Sequence, residues 1–139
     1  MFELSQSPNL KMQNDSKKFK IDFKKRLIRF SVEIIKLASD LRKNRNLVSL
    51  ADQIIRSATS VGANIIEAKS CGTRKDYIRF FEIALKSGNE TKYWLLLIGE
   101  CDKSFSTRTQ SLLKECDEIC RIIGAGILTM KGKRNNFAL

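Results

Sequence analysis

Residues 27–41 have the sequence LIRFSVEIIKLASDL, in which apolar side chains recur at alternating steps of three and four. The series is Leu27, Phe30, Ile34, Leu37 and Leu41. In an α-helix this spacing places all five side chains on one stripe and leaves the charged residues on the other faces. The stretch therefore predicts an amphipathic helix that packs against other helices.

Three later stretches have the same spacing and predict three more long helices. They run from Leu47 to Ile65, from Tyr77 to Ile98 and from Leu112 to Met130. Thr73 with Asp76 predicts a capping box before the third helix, and Thr107 predicts another before the fourth. No long stretch alternates apolar and polar residues, and short loops between long helices favour antiparallel neighbours. We therefore predict an all-α fold, an antiparallel up-down four-helix bundle.

The 139 residues suit one domain. We assign residues 21–132 to the bundle, because Gly132 can end the last helix. Residues 1–20 are polar, contain the only proline and show no helical period, so they predict a mobile N-terminal tail. Residues 133–139 are expected to form a short C-terminal tail.

The composition excludes several kinds of chemistry. The chain has no histidine, which removes Ser-His-Asp and Cys-His catalysis and histidine-ligated metals. The four cysteines form no CxxC pair, and we expect them to be mostly buried, reduced thiols. We expect no enzymatic activity, no metal and no cofactor. The most apolar run, residues 94–98, is too short to cross a bilayer, and the start lacks a signal peptide, so we predict a cytoplasmic protein without membrane contact.

The second predicted helix has an unusual polar face. Ser57, Ser60, Asn64 and Glu67 share one side of it, and residues 47–70 are neutral in a chain of net charge +11. One interpretation is a solvated face of short side chains. We favour another, a buried or interfacial polar network that these residues form with Arg56 and also with Glu90 of the third helix. A buried arginine requires a carboxylate partner, and the sequence leaves open whether it lies in the same subunit.

The positive charge is concentrated in the first helix and at the C-terminal end. Residues 21–46 contain eight Lys and Arg against three Asp and Glu. Such stripes are often only solvated faces, but they also fit a surface that binds phosphates with little sequence selectivity. The residues that we expect to contact RNA or DNA are Lys25, Arg26, Arg29, Lys36, Arg42, Lys43, Arg45, Lys131, Lys133 and Arg134.

Two motifs give the chain a family resemblance. Residues 53–67, QIIRSATSVGANIIE, followed by KDYIRF at 75–80 and by residues 83–92, resemble the motifs of a bacterial four-helix-bundle family that includes proteins encoded by intervening sequences in the 23S ribosomal RNA gene. Lys92 departs from the pattern, because many members have a second glutamate there. The resemblance implies a ring-like homopentamer. A related accessory protein of diversity-generating retroelements binds nucleic acid and a reverse transcriptase.

Taken with the charge, the resemblance predicts a non-enzymatic, basic, oligomeric protein that binds RNA or DNA. The alternative is a protein-interaction scaffold or adaptor, for example for a nucleic-acid enzyme, that does not contact nucleic acid itself.

Overall fold

The computed structural model describes residues 7–132, which form four long α-helices. They are α1 (Pro8–Leu41), α2 (Val48–Ala68), α3 (Arg74–Cys101) and α4 (Ser106–Met130). Single 3-10 turns at Arg45–Leu47 and Lys103–Phe105 lead into α2 and α4. Residues 7–132 contain no β-strand, and the prediction of an all-α four-helix bundle is confirmed.

Contacts between the helices show that neighbours run antiparallel. Between α2 and α3, Ser57 lies opposite Thr91, and Ser60, one turn later, lies opposite Ser87, one turn earlier. Between α1 and α4, the middle of one helix faces the middle of the other, and the end of α1 faces the start of α4. The chain therefore follows the predicted up-down path, with each helix beside its neighbours in sequence.

The core is built from the apolar stripes of all four helices. The five stripe residues of α1 are each at most 3% exposed, and Ile54 of α2, Ile98 of α3 and Ile123 of α4 are fully buried. Burying one such side chain contributes roughly 1.5–3 kcal/mol. Cys116 and Cys120 belong to this core as expected, whereas Cys101 is exposed; all four cysteines are free.

The first helix begins earlier than predicted. Ser7 caps α1, its Oγ accepting a hydrogen bond from the Leu10 N–H at 3.3 Å, and Pro8 occupies the first turn. The assignment of residues 8–20 to a tail is therefore wrong, whereas residues 1–6 and 133–139 lie outside the described part. Apolar spacing detects only the packed part of a helix, and once a packed segment is helical, good helix formers extend it at little cost.

The helix ends confirm some of the predicted caps. Thr73 Oγ1 accepts a hydrogen bond from the Asp76 N–H at 3.2 Å and donates one to the Asp76 carboxylate at 2.9 Å. Gly132, with φ of +72°, follows α4 in the left-handed conformation that ends helices. The Thr107 capping box is wrong, because α4 starts at Ser106 after a 3-10 turn that Asp102 caps.

Glycines in α3 allow α4 to approach closely. A Cβ atom on Gly88 would lie 2.4 Å from the Cys120 sulfur, and one on Gly99 would lie 2.8 Å from the Thr109 hydroxyl oxygen. Both distances are shorter than real Cβ contacts allow. The spacing between α3 and α4 therefore depends on the absence of side chains at these two positions.

We predict that Gly88→Ala destabilises the protein by about 1–3 kcal/mol, because Cys120 or a whole helix must move. Gly124→Ala in α4 is the matched control: nothing lies within 4 Å of its Cβ position, so the higher helix propensity of alanine should stabilise by about 0.5–1 kcal/mol. Urea denaturation measures both. Adding Cys120→Ala should recover part of the loss, and equal stabilities for the two single variants would contradict the close approach.

Candidate nucleic-acid interface

Arg26 connects α1 to α4 across a hollow of about 730 Å³ between these helices. Its Nε and Nη2 donate to the two carboxylate oxygens of Glu115 at 2.6 and 3.0 Å, and Nη2 also lies 3.1 Å from Glu118. These hydrogen bonds raise the already high pKa of Arg26, and Arg26 in turn lowers the pKa of Glu115. Arg26 therefore links α1 to α4, and its guanidinium is already engaged by two carboxylates.

Four more of the cations predicted to bind nucleic acid make ion pairs within the chain, at N–O distances of 2.6 to 3.3 Å. The pairs are Lys36 with Glu33, Arg42 with Asp52, Lys43 with Asp40 and Lys131 with Glu82. A phosphate that approached one of these cations would also meet its carboxylate. These four cations are therefore already engaged by carboxylates of the same chain.

Three predicted cations remain exposed and unpaired within residues 7–132: Lys25, Arg29 and Arg45. Lys133 and Arg134 lie outside the described residues. The predicted stripe of Arg29, Lys36 and Lys43 is thus interrupted, because only its first member is without an ion pair.

The N-terminal half of α1 carries more charge than the predicted surface, which included only Lys25 from this part of the helix. Residues 8–25 contain six lysines and two aspartates, a net charge of +4, and none of the six makes an ion pair with another described residue. The lysines are Lys11, Lys17, Lys18, Lys20, Lys24 and Lys25, all exposed. They were visible in the sequence, but assigning residues 1–20 to a tail removed most of them from the candidate surface.

The loop between α2 and α3 extends this surface. Lys69, Arg74 and Lys75 are exposed and form no ion pair within the described chain, and Lys69 lines the same groove as Lys20 and Lys24. We call the six lysines of α1 together with Lys69, Arg74 and Lys75 the basic end of the bundle.

The opposite end of the bundle is largely neutralised. Asp40 accepts from Arg108 at 2.6 Å and lies 3.2 Å from Lys43, contacts that lower its pKa. Lys103 pairs with Glu100 at 3.1 Å. Of the cations in its two loops, only Arg45 is unpaired among residues 7–132, so unpaired cations are more numerous at the basic end.

The polar face of α2 forms a hydrogen-bonded seam with α3. The hydroxyl oxygens of Ser57 and Thr91 lie 2.9 Å apart in the core, and Ser87 donates to Ser60 at 3.1 Å. Asn64 donates to both oxygen atoms of Ser60, at 2.7 and 2.9 Å. Ser57, Ser60 and Asn64 therefore belong to one hydrogen-bonded network, whose partners on α3 are Ser87 and Thr91.

The charged members of the predicted network lie outside this seam. Arg56 and Glu67 are exposed on α2, with no ion pair among residues 7–132, and Glu90 is exposed on α3, where it accepts from the Trp94 Nε1–H at 3.2 Å. A buried ionic network within one chain is therefore wrong. The seam needs no charge, because hydroxyl and amide groups satisfy each other. A role for Arg56 at a subunit interface stays a prediction.

Apolar side chains are exposed on the outer side of α1 and α2. Ile28, Val32 and Ile35 of α1 and Ile66 of α2 are 40–54% exposed, and a shallow groove of about 250 Å³ lies between the helices beside Gly62. Adjacent exposed apolar residues are typical of surfaces that contact another protein. We call these four residues the apolar face.

The described residues offer neither a metal site nor a membrane-spanning helix. Residues 7–132 contain no group of three or more Cys, Asp or Glu placed to hold a metal ion. None of the described helices is both long and apolar enough to cross a membrane.

The structure thus defines a basic four-helix bundle with an uncharged internal seam. The model of the 23S rRNA-intervening sequence protein family matches residues 20–125, and the chain belongs to this family. It is similar to a protein of unknown function from the S23 ribosomal protein family of Bacteroides thetaiotaomicron, whose crystal structure has a TM-score of 0.71. The two are 34% identical over 76% of this chain and 97% of the other. A search of curated proteins found no match.

We predict that Arg26→Met destabilises the protein by about 1 kcal/mol at pH 7, since methionine keeps the packing of the side-chain stem but loses the ion pairs. The pair stabilises fully above the ordinary glutamate pKa of about 4.3, because Arg26 lowers the pKa of folded Glu115. As the pH falls through that lower value, wild type loses the stabilisation and the difference should disappear.

Lys25→Met is the matched control, because the neighbouring lysine is exposed and makes no ion pair in the described chain. Its stability should stay within about 0.5 kcal/mol of wild type. A deficit of Arg26→Met that is the same at pH 7 and pH 2.5, measured by thermal unfolding, would mean that the ion pairs are not its source.

Proposed function

We propose that this protein is a non-enzymatic, oligomeric protein that binds RNA or DNA through its basic end. The observation that carries the proposal is the set of nine exposed lysines and arginines there without ion pairs among residues 7–132. Phosphates that bind such cations release condensed counterions, which drives association. The family name refers to the 23S rRNA gene and does not identify a ligand.

Binding of this kind should be weakly sequence-selective. The basic end consists mostly of lysines, whose flexible point charges contact phosphates and do not present the planar pairs of donors that read base edges. A binding role without catalysis is supported by the absence of histidine from the sequence. We also propose that the protein acts in the cytoplasm, where nucleic acid is available to it.

Self-association is part of the same proposal. The apolar face offers isoleucines and a valine that a second copy can cover, and each added copy brings another basic end. Because phosphate contacts add, a ring of subunits binds a long nucleic acid more tightly than one subunit does. The family resemblance suggests a homopentamer.

The second candidate is a scaffold or adaptor that binds a different protein, such as a nucleic-acid enzyme, without touching nucleic acid. The apolar face supports this alternative equally well, because a different partner can cover it. Measurements of nucleic-acid affinity and of assembly separate the two candidates.

We predict that Lys17→Gln, Lys18→Gln and Lys25→Gln together weaken binding to RNA and DNA and lower the slope of log affinity against log salt by up to about three. The matched control also removes three charges, but from cations of α1 and the following loop that make ion pairs within the chain. These substitutions are Lys36→Gln, Arg42→Gln and Lys43→Gln. It should lower the slope by less than one. Fluorescence anisotropy between low and physiological salt measures both.

Equal losses for the two triple variants would place the interface elsewhere on the protein. Wild-type affinity no higher than that of a neutral control protein would remove nucleic-acid binding altogether and leave the adaptor.

For assembly, we predict that Ile28→Asp with Ile35→Asp converts the oligomer to monomers, because burying two carboxylates in an interface is costly. Leu96→Asp is the control, since Leu96 is equally exposed on α3, away from the apolar face. Light scattering gives the mass and circular dichroism the helix content. A monomeric wild type, or a double variant that keeps the wild-type mass, would contradict self-association through this face.

A further inference from the structure

A groove lined by aromatic rings lies at the basic end. It has a volume of about 480 Å³ and is formed by the N-terminal half of α1, the start of α3 and the end of α4. Phe19 and Phe23 come from α1, and Tyr77 and Phe81 come from α3. A second hollow of about 400 Å³, which shares Phe19, Tyr77 and Phe81, continues the groove along α4.

The rings are arranged in two stacked pairs. Phe19 and Phe23 are nearly parallel, with 6.3 Å between centroids, and Tyr77 and Phe81 stack at 5.0 Å. Gly126 makes room for this arrangement, because a Cβ there would lie 3.3 Å from the Phe81 ring. Phe19 is 58% exposed, so much of its ring is free to meet a ligand.

The rim of the groove is positively charged. Lys20, Lys24 and Lys69 line it, and none of the described residues that line the groove or its continuation is a carboxylate. A ligand that fits this site has a flat apolar part for the rings and negative charge for the ammonium groups. A nucleotide with an unpaired base has both parts, whereas bases inside a duplex are stacked and cannot reach the rings.

We propose that this groove binds unpaired bases of a single-stranded nucleic acid, which stack on Phe19 and Tyr77 while the flanking phosphates lie against Lys20, Lys24 and Lys69. The proposal rests on the proposed function and specifies the ligand of the basic end. The protein then prefers single strands to duplexes, because the lysines serve both but the rings serve only unpaired bases.

The test uses single-stranded and duplex oligonucleotides of the same sequence, with 2-aminopurine at one position as the fluorescent base. Stacking in the groove should quench its fluorescence in the single strand and leave the duplex signal unchanged. Phe19→Ala should weaken single-strand binding by roughly 5- to 150-fold, the range for losing one stacked base, and change duplex binding less than twofold.

Tyr93→Ala is the matched control, because Tyr93 is also 58% exposed and lies on α3 outside the groove. Circular dichroism checks that both variants keep their helices. If Phe19→Ala and Tyr93→Ala bind single strands equally, or if wild type prefers duplexes, the groove proposal is overturned while nucleic-acid binding stands. If wild type binds neither form, both proposals fail.

Discussion

One turn of α3, residues 87 to 91, holds the two neighbouring helices at close range. On one side Ser87 and Thr91 make hydrogen bonds with the hydroxyls of α2, and on the other side Gly88 leaves space for the Cys120 sulfur of α4. All three residues are small, so both neighbours approach the α3 backbone. A longer side chain at Gly88 would move α4, and an apolar one at Thr91 would leave Ser57 without a partner across the seam.

This uncharged seam also determines where charge can lie. The polar groups between α2 and α3 are hydroxyls and an amide that hydrogen-bond to one another, so no charged side chain is needed there. Arg56 and Glu67 remain at the surface. Most carboxylates near the C-terminal half of α1 form ion pairs. The lysine or arginine partner lies on the same helix, in the next loop or on a neighbouring helix. The lysines in residues 8–25 have no such partners within the described chain. Among residues 7–132, the lysines and arginines without ion pairs are thus most numerous at the basic end.

The sequence was sufficient to predict the helices, but it did not reveal which residues pair with the charged side chains. The stripe from Leu27 to Leu41 and the cap at Thr73 are local patterns, and both appear as expected. The pair of Arg26 with Glu115 joins residues 89 positions apart, so it depends on how two helices are aligned, which no local spacing reveals. The helical start of α1 was missed because residues 8–20 bury nothing and so show no apolar period.

The burial of the aromatic residues also could not be predicted from local spacing alone. Phe23, Tyr77 and Phe81 lie at helical spacing, yet each is only partly buried. α1, with 34 residues and a length of about 50 Å, continues past the end of the 21-residue α2, which is about 30 Å long. The extra length of α1 includes Phe19, which is exposed, whereas Phe23 and Phe81 still pack against the core. Helical spacing alone thus does not reveal whether an apolar residue lies in the core.

The weak contact between α1 and α4 has a consequence for how the molecule folds and opens. The other packed pairs join helices that follow each other in the chain, which gives a low contact order and favours rapid folding. α1 and α4 meet mainly through ion pairs across a hollow, so their closure is the long-range step and the least protected by buried apolar surface. Residues 8–20, which are exposed throughout, are then the part of α1 that we expect to open at the lowest free energy.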